Sequence, residues 1–323
     1  MNVFAKLALV TICTTSLTPT HAQQPYPTRP VTFIVPVAPG GILDYVGRLI
    51  APPLTKVLGQ PVIVENRPGA SGNIASALVA KAKPDGYTFL VGYSMFHVGN
   101  PTMFTNLPWD PIRDFSSVAM LVVSPHVVTV HPSLPVNTLQ QLVSYARANP
   151  GKIFYASPGN GSVPHVGVEL FKQLTKINLV HVPYKGSGPA LLDVLSGQVP
   201  MIVATPPSVM QHIQVKKLRA LAVAAKVRHP LIPDIPTSAE AGYPSFELEA
   251  WVALFAPAGT PADAVKRMSD ALAQVLDTEE VKKSVINTGI STRYMPPAQL
   301  DQVVKGDLAY WSKVIRSAGI KAD

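Results

Sequence analysis

Cysteine is almost absent from this sequence: Cys13 is the only one in 323 residues. Everything downstream of it is therefore barred from disulfides, thiolate nucleophiles and Cys-ligated metals. Long apolar runs are missing too, since after residue 22 no stretch reaches the roughly 18 uninterrupted apolar residues of a membrane-spanning helix. Charge is sparse, at 14% of residues, with 27 Lys and Arg against 19 Asp and Glu for a net +8. The basic residues are scattered, and Lys216-Lys217 and Lys282-Lys283 come nearest to clusters without any interleaved aromatic motif. That pattern argues against nucleic acid as a partner and fits a solubilising surface. Chemistry-bearing motifs are equally scarce. No Gly-x-Ser-x-Gly elbow occurs, and the eight histidines form neither His-x-x-x-His nor Glu-flanked pairs, so neither an activated serine nor a metal site is signalled. Gly159-x-Gly161 runs on to Pro164 where a dinucleotide fingerprint requires glycine, and no loop ends in Gly-Lys-Ser/Thr. No nucleotide cofactor is expected.

The first feature that is present is a leader. Lys6 precedes an apolar run from Leu7 to Leu17, and Thr20-His21-Ala22 offers a small-residue cleavage point. The arrangement predicts a signal peptide over 1–22, cleavage after Ala22 and a mature protein outside the cytoplasm, without its thiol. Ile12 before Cys13 is too bulky for the lipoprotein alternative.

The mature chain alternates short β-branched runs with helical patterns of ten to fifteen residues, the signature of parallel sheets covered by helices. Strands are predicted at 31–35, 61–64, 88–92, 153–156, 179–182, 201–204, 219–224 and 251–255, with a long β-rich run over 120–130 interrupted by Pro125, near which the chain is expected to cross between domains. Helices are predicted at 41–58, 72–82, 139–148, 163–174, 189–195, 208–216, 262–276 and 299–317. Pro52-Pro53 should kink or split the first helix. The terminal elements are too few for a third domain and are expected to return to the first. The expected fold class is α/β, with two lobes and a cleft between them: domain I from 23–122 with 249–323, and domain II from 123–248.

Two loops suit a ligand. Ala38-Pro39-Gly40-Gly41 lies between a strand and a helix, where backbone amides and the helix dipole favour an anion; a plain tight turn is the alternative. Asp44, in the first helical turn, is expected to cap free amides more than to touch a ligand. Ser157-Pro-Gly-Asn-Gly161-Ser162 repeats the arrangement in the other lobe, with Ser162 as N-cap and His165 one turn on. Two such entrances facing each other could hold the two ends of one small anion. Gly186-Ser-Gly188 reads as a turn. His97 and His165 are placed near the cleft in neutral hydrogen-bonding roles. A secreted αβ hydrolase or isomerase using Ser162 with His165 is the competing reading.

These loops resemble a known family. Val35-Pro-Val-Ala-Pro-Gly-Gly41 with Asp44 and Arg48, Val64-Glu-Asn-Arg-Pro-Gly69, Lys83-Pro-Asp-Gly-Tyr-Thr88, Tyr155-Ala-Ser-Pro-Gly-Asn-Gly-Ser162 with His165, and His181-Val-Pro-Tyr-Lys-Gly186 are similar to segments of the substrate-binding proteins of tripartite tricarboxylate transporters, the Bug family. Arg219-Ala-Leu-Ala222 and Pro233-Asp-Ile-Pro-Thr237 with Ala239-Glu-Ala-Gly242 extend the match along the mature chain. The resemblance implies a monomeric periplasmic receptor that closes on a small organic carboxylate and hands it to inner-membrane transporter subunits, or to a sensor, with no chemistry and no cofactor or metal. It implies ligand contacts at Ala38, Pro39, Gly40, Gly41 and Asp44, at Ser94 and His97, at Ser157, Gly159, Asn160, Gly161, Ser162 and His165, and at Thr205. Two departures bear on the ligand. Val37 stands where many relatives carry phenylalanine, leaving room, and Thr205 stands near the position of an aspartate that meets an amino group in some relatives. A dicarboxylate or aromatic acid is therefore expected over an amino acid.

Overall fold

The computed structural model describes residues 26–322, so the predicted leader and predicted cleavage point lie outside the described residues. Eleven strands run through the described residues: β1 Val31–Val35, β2 Val62–Asn66, β3 Thr88–Tyr93, β4 Phe115–Pro125, β5 Val127–Val130, β6 Ile153–Ser157, β7 Leu179–Pro183, β8 Met201–Ala204, β9 Arg219–Val223, β10 Glu249–Pro257 and β11 Ser291–Met295. They form two sheets. One is ordered β11-β4-β10-β3-β1-β2, the other β7-β6-β8-β5-β9. Within each, the strands joined by helical crossovers are parallel: β1 pairs with β2 and β3, and β6 with β7 and β8. β4, β5, β10 and β11 pair antiparallel with their neighbours. The result is two αβ lobes, with the chain passing from one sheet to the other at His126 and back between β9 and β10.

Among the described residues ten α-helices cover the sheets: α1 Ile42–Leu58, α2 Asn73–Ala80, α3 Asn100–Met103, α4 Leu139–Ala148, α5 Val163–Thr175, α6 Ser187–Leu195, α7 Pro206–Gln214, α8 Ala262–Leu276, α9 Glu279–Asn287 and α10 Pro297–Ser317. The central strand β10 shows why the sequence reads as an unbroken apolar run. Trp251, Ala253 and Phe255 join one core while Val252, Leu254 and Ala256 join the core on the opposite face, so helices on both faces leave no position for a polar residue. Phe33 and Phe89, opposite each other on β1 and β3, meet edge to face with centroids 6.0 Å apart. The core on the Trp251 side continues into the second lobe through Tyr155, Phe171 and Phe246. Helix α10 reaches across as well, its Val314 carbonyl accepting from Gln173 Nε2 of α5 at 3.4 Å.

Two features differ from the expectations, and one sharpens them. Pro52 and Pro53 neither split nor end α1, which runs unbroken over 17 residues. Pro52 is exposed and Pro53 half-buried, while Val46, Ile50, Leu54 and Leu58 hold the helix to the sheet on both sides. The run at 120–130 is two strands broken at Pro125-His126, each belonging to a different sheet. Helix α9 and strand β11 have no counterpart in the predicted elements; β11 is an edge strand of half-buried residues, with too weak an alternation to stand out.

Candidate functional site

A cavity of about 620 Å³ opens between the lobes at the carboxyl ends of β1, β3, β6 and β8. Strand ends of open αβ sheets are where ligands bind, because the crossover helices begin there. Four helix N-termini reach its wall: α1 through Gly41 and Ile42, α5 through Ser162 and Val163, α6 through Ser187, and α7 through Thr205 and Pro207. Tyr45, Tyr93, Met95, Phe96, Leu191 and Ile202 supply apolar surface, and Ser208 and Thr288 add hydroxyls. No Asp, Glu, Lys or Arg lines the cavity among the described residues.

The first loop is held from behind by one carboxylate. Asp44 Oδ2 accepts from the Gly40 N–H at 2.9 Å, and its Oδ1 accepts from Arg48 Nε at 2.8 Å and from Asn66 Nδ2 at 2.9 Å. Asn66 Nδ2 also donates to the Val37 carbonyl, and Arg48 Nη2 donates to Asn66 Oδ1. Burial pushes the Asp44 carboxyl up, but the bonds from Gly40, Asn66 and Arg48 outweigh it and hold the pKa below the ordinary carboxylate range. Asp44 thus spends its lone pairs on the loop. Gly40, whose amide it occupies, still lines the cavity with Gly41.

The second loop rests on a stack of rings. His165 Nδ1 accepts from the Gly161 N–H at 3.1 Å, and its ring lies 3.8 Å from that of His181, nearly parallel at 11°. His181 Nε2 meets Ser157 Oγ at 2.6 Å, and the Gly159 N–H donates to the same hydroxyl at 3.1 Å. Tyr155 stacks on His181 at 4.9 Å and donates to Glu169 Oε1, which also accepts from Lys172 Nζ, both at 2.7 Å. Burial, then repulsion from His181 and Lys172, lowers the His165 pKa to about 3. Burial lowers His181 to about 4, with Glu169 opposing and Lys172 assisting. Both rings are neutral at pH 7.

Of the residues singled out in the sequence, Gly40, Gly41, Gly161, Ser162 and Thr205 line the cavity. Asp44, Ser157, Gly159 and His165 brace the two loops from behind, while Ala38, Pro39 and Asn160 face solvent. Ser94 is buried between the cavity residues Tyr93 and Met95. His97 has the neutral hydrogen-bonding role expected of it, but not at the cavity, which it does not line. Its ring lies 4.1 Å from Phe255 in a cluster with Trp109 and Phe115, its Nε2–H donates to the Pro111 carbonyl at 3.2 Å, and burial lowers its pKa to about 4. The turn Met95–Gly99 that carries it is π-helical.

Ser187 corrects the plain-turn reading of Gly186-Ser-Gly188: it begins α6 at the cavity wall. Val37 does not line the cavity; its side chain packs beside the start of α1, with Cγ2 3.2 Å from where a Cβ on Gly41 would stand. The Ser162–His165 pair is a cap. Ser162 Oγ donates to the Gly159 carbonyl at 2.8 Å and accepts from the His165 backbone N–H, while the imidazole Nδ1 is taken by Gly161. Tyr45, Tyr93, His126 and Ser208 are cavity residues without any motif to announce them.

The lobes meet on bare backbone at two points. Gly161 has φ +73°, and a Cβ there would stand 2.5 Å from Met103 Sδ of the other lobe. Gly289, between the cavity residues Thr288 and Ile290, has φ +75° and would place a Cβ 2.6 Å from Pro206 at the start of α7. The Gly289 carbonyl accepts from His229 Nε2 at 3.1 Å.

The family described as tripartite tricarboxylate transporter family receptor (TctC) matches residues 46–320. Protein BugT of Bordetella pertussis is 33% identical over 99% of both chains. Among solved structures, Rpa4515 of R. palustris with adipate is 36% identical, with TM-score 0.80 over 92% of this chain and 99% of that one. MatC of Rhodopseudomonas palustris with bound malate is 35% identical, with TM-score 0.76 over 90% and 100%. With this family match spanning most of the chain, on two αβ lobes around a shared cavity, the chain belongs to the tripartite tricarboxylate transporter receptors of the Bug type, as a solute-binding protein.

Proposed function

We propose that the protein is a periplasmic receptor for a small organic carboxylate without an amino group, delivered to inner-membrane transporter subunits. The observation that carries this reading is the cavity wall: four helix N-termini and no charged side chain among the described residues. Each helix start presents a partial positive charge to an anion, worth roughly 0.3–1 kcal/mol apiece, up to about 2 where partly buried; α7 does so without first-turn amides, since Pro206 and Pro207 have no N–H and the Ser208 N–H donates to the Thr205 carbonyl at 3.0 Å. An ammonium group would find no carboxylate there to neutralise it, and its desolvation would go uncompensated. The apolar walls from Tyr45, Tyr93 and Phe96 suit an extended or aromatic acid between its polar ends. The ligands of the adipate-bound and malate-bound relatives fall in the same chemical class.

Thermal unfolding of protein that has been denatured and refolded, to strip bound ligand, tests the reading against a panel of dicarboxylates, aromatic acids and acidic amino acids. A ligand at about 100 times its Kd stabilises by roughly 2.7 kcal/mol. A clear shift with one acid class is expected. Stabilisation by aspartate or glutamate above succinate or glutarate overturns the amino-free assignment, and no shift with any acid overturns the carboxylate assignment.

A further inference from the structure

Both passages of the chain between the sheets are tied together at one residue. The His126 N–H donates to the Leu248 carbonyl at 3.1 Å, its carbonyl accepts from Ala224 N–H at 2.8 Å, and Leu248 N–H donates to the Ala224 carbonyl at 2.8 Å. The ring, 1% exposed, forms part of the cavity wall. Its Nδ1 lies 3.1 Å from the same Leu248 oxygen. A carbonyl oxygen only accepts, so the proton sits on Nδ1 and Nε2 carries a lone pair. Nε2 has no hydrogen-bond partner among the described residues, on a side chain that lines the cavity.

Burial lowers the ring's pKa to about 4, the Leu248 bond opposing. Tyr45 and Tyr93 share the cavity wall; Glu247 and Glu249 flank Leu248 but are turned to Lys226 at 3.8 Å and Arg293 at 2.8 Å. Nothing charged is placed to protonate the imidazole. A lone pair fixed in the wall repels a carboxylate oxygen and bonds only to a group that brings its own hydrogen. An ammonium would do so at the expense of an unneutralised charge in a wall free of acids; a hydroxyl carries no such penalty.

We propose that His126 Nε2 accepts a hydrogen bond from a hydroxyl group on the ligand, making the receptor selective for hydroxy acids over their deoxy counterparts. The inference rests on the carboxylate reading above and narrows it. Calorimetric titration of the refolded protein with malate against succinate, mandelate against phenylacetate, and aspartate tests it. In at least one pair the hydroxy acid is expected to bind about tenfold tighter. His126→Asn, whose Nδ2 can keep the Leu248 bond while nothing reaches the position of Nε2, should abolish the preference and leave the deoxy acid nearly unchanged. His126→Gln, with an amide oxygen near that position, should restore part of it.

Equal affinities within every pair overturn the inference, as does an equal loss for both members in His126→Asn. So does uptake of a proton on binding, read from the dependence of the heat on buffer ionisation, since the ring would then be charged against a carboxylate. The wild-type comparison and the buffer series decide the question even if neither variant folds. Acids that bind without a hydroxyl preference leave the carboxylate reading standing; no heat with any acid removes both.

Discussion

Asp44 shows how much one side chain can fix. Replacing it with alanine leaves the Gly40 N–H, the Asn66 amide and the Arg48 guanidinium each short of an acceptor, and a stability loss of about 1–3 kcal/mol at pH 7 is expected. Half of the Arg48 side chain is in water, so the ion pair itself adds little. The sign with pH follows from a folded pKa held below that of the unfolded chain, about 3.9: the stabilisation is present above pH 4 and disappears as pH falls through the folded value. Urea unfolding of wild type and Asp44→Ala at pH 7 and pH 3 should show a gap at the first and a smaller one at the second. The residues legible in sequence were those whose partners are local, Asp44 and the Ser162 cap among them. His126, 122 residues from its Leu248 partner, and the Ser157–His181 bond across 24 residues were not, because no spacing rule joins them. Nor was the place of His97 among Trp109, Phe115 and Phe255, which the chain brings to it from further along.

At the scale of elements, helix α1 carries two prolines in its interior. An interior proline removes a hydrogen bond and crowds the preceding turn, at about 3 kcal/mol in an exposed helix, partly offset by the stiffer unfolded chain. Pro52→Ala, at the exposed position, is therefore expected to stabilise by about 1–3 kcal/mol. A urea midpoint equal to or below that of wild type would show that the helix already accommodates the ring. Periodicity revealed α4, β8 and α8 with their observed bounds because their apolar faces are regular and their ends are marked, as by the Thr138 cap that accepts from Gln141 N–H. In the run at 120–130 it was Pro125 that marked the break between the two sheets, since a strand buried on both faces has no alternation to interrupt.

For the whole molecule, acid is the vulnerable side. Burial lowers His97, His126 and His181 to about 4 and His165 to about 3, whereas unfolded histidine titrates near 6.5. The folded state therefore refuses protons that the unfolded state accepts. Stability is complete above pH 6.5 and falls steadily toward pH 4, by on the order of 3 kcal/mol for each fully buried ring at most. The melting temperature should drop across that window, and His97→Phe, which keeps an aromatic ring in the Trp109 and Phe255 cluster, should make the drop shallower. A flat profile between pH 6.5 and 4.5 would contradict the burial of these rings.

The seam where Gly289 rests on Pro206 gives the receptor two independent dials. The contact is made by backbone between two cavity residues, so a single methyl there props the lobes apart without altering any ligand-facing side chain. Gly289→Ala should weaken every acid by one common factor, because it shifts only the population able to close. How tightly the protein holds its cargo is then adjustable at the rim, while which cargo it prefers is written on the wall. A reshuffled ranking of ligands in that variant would show the two to be inseparable.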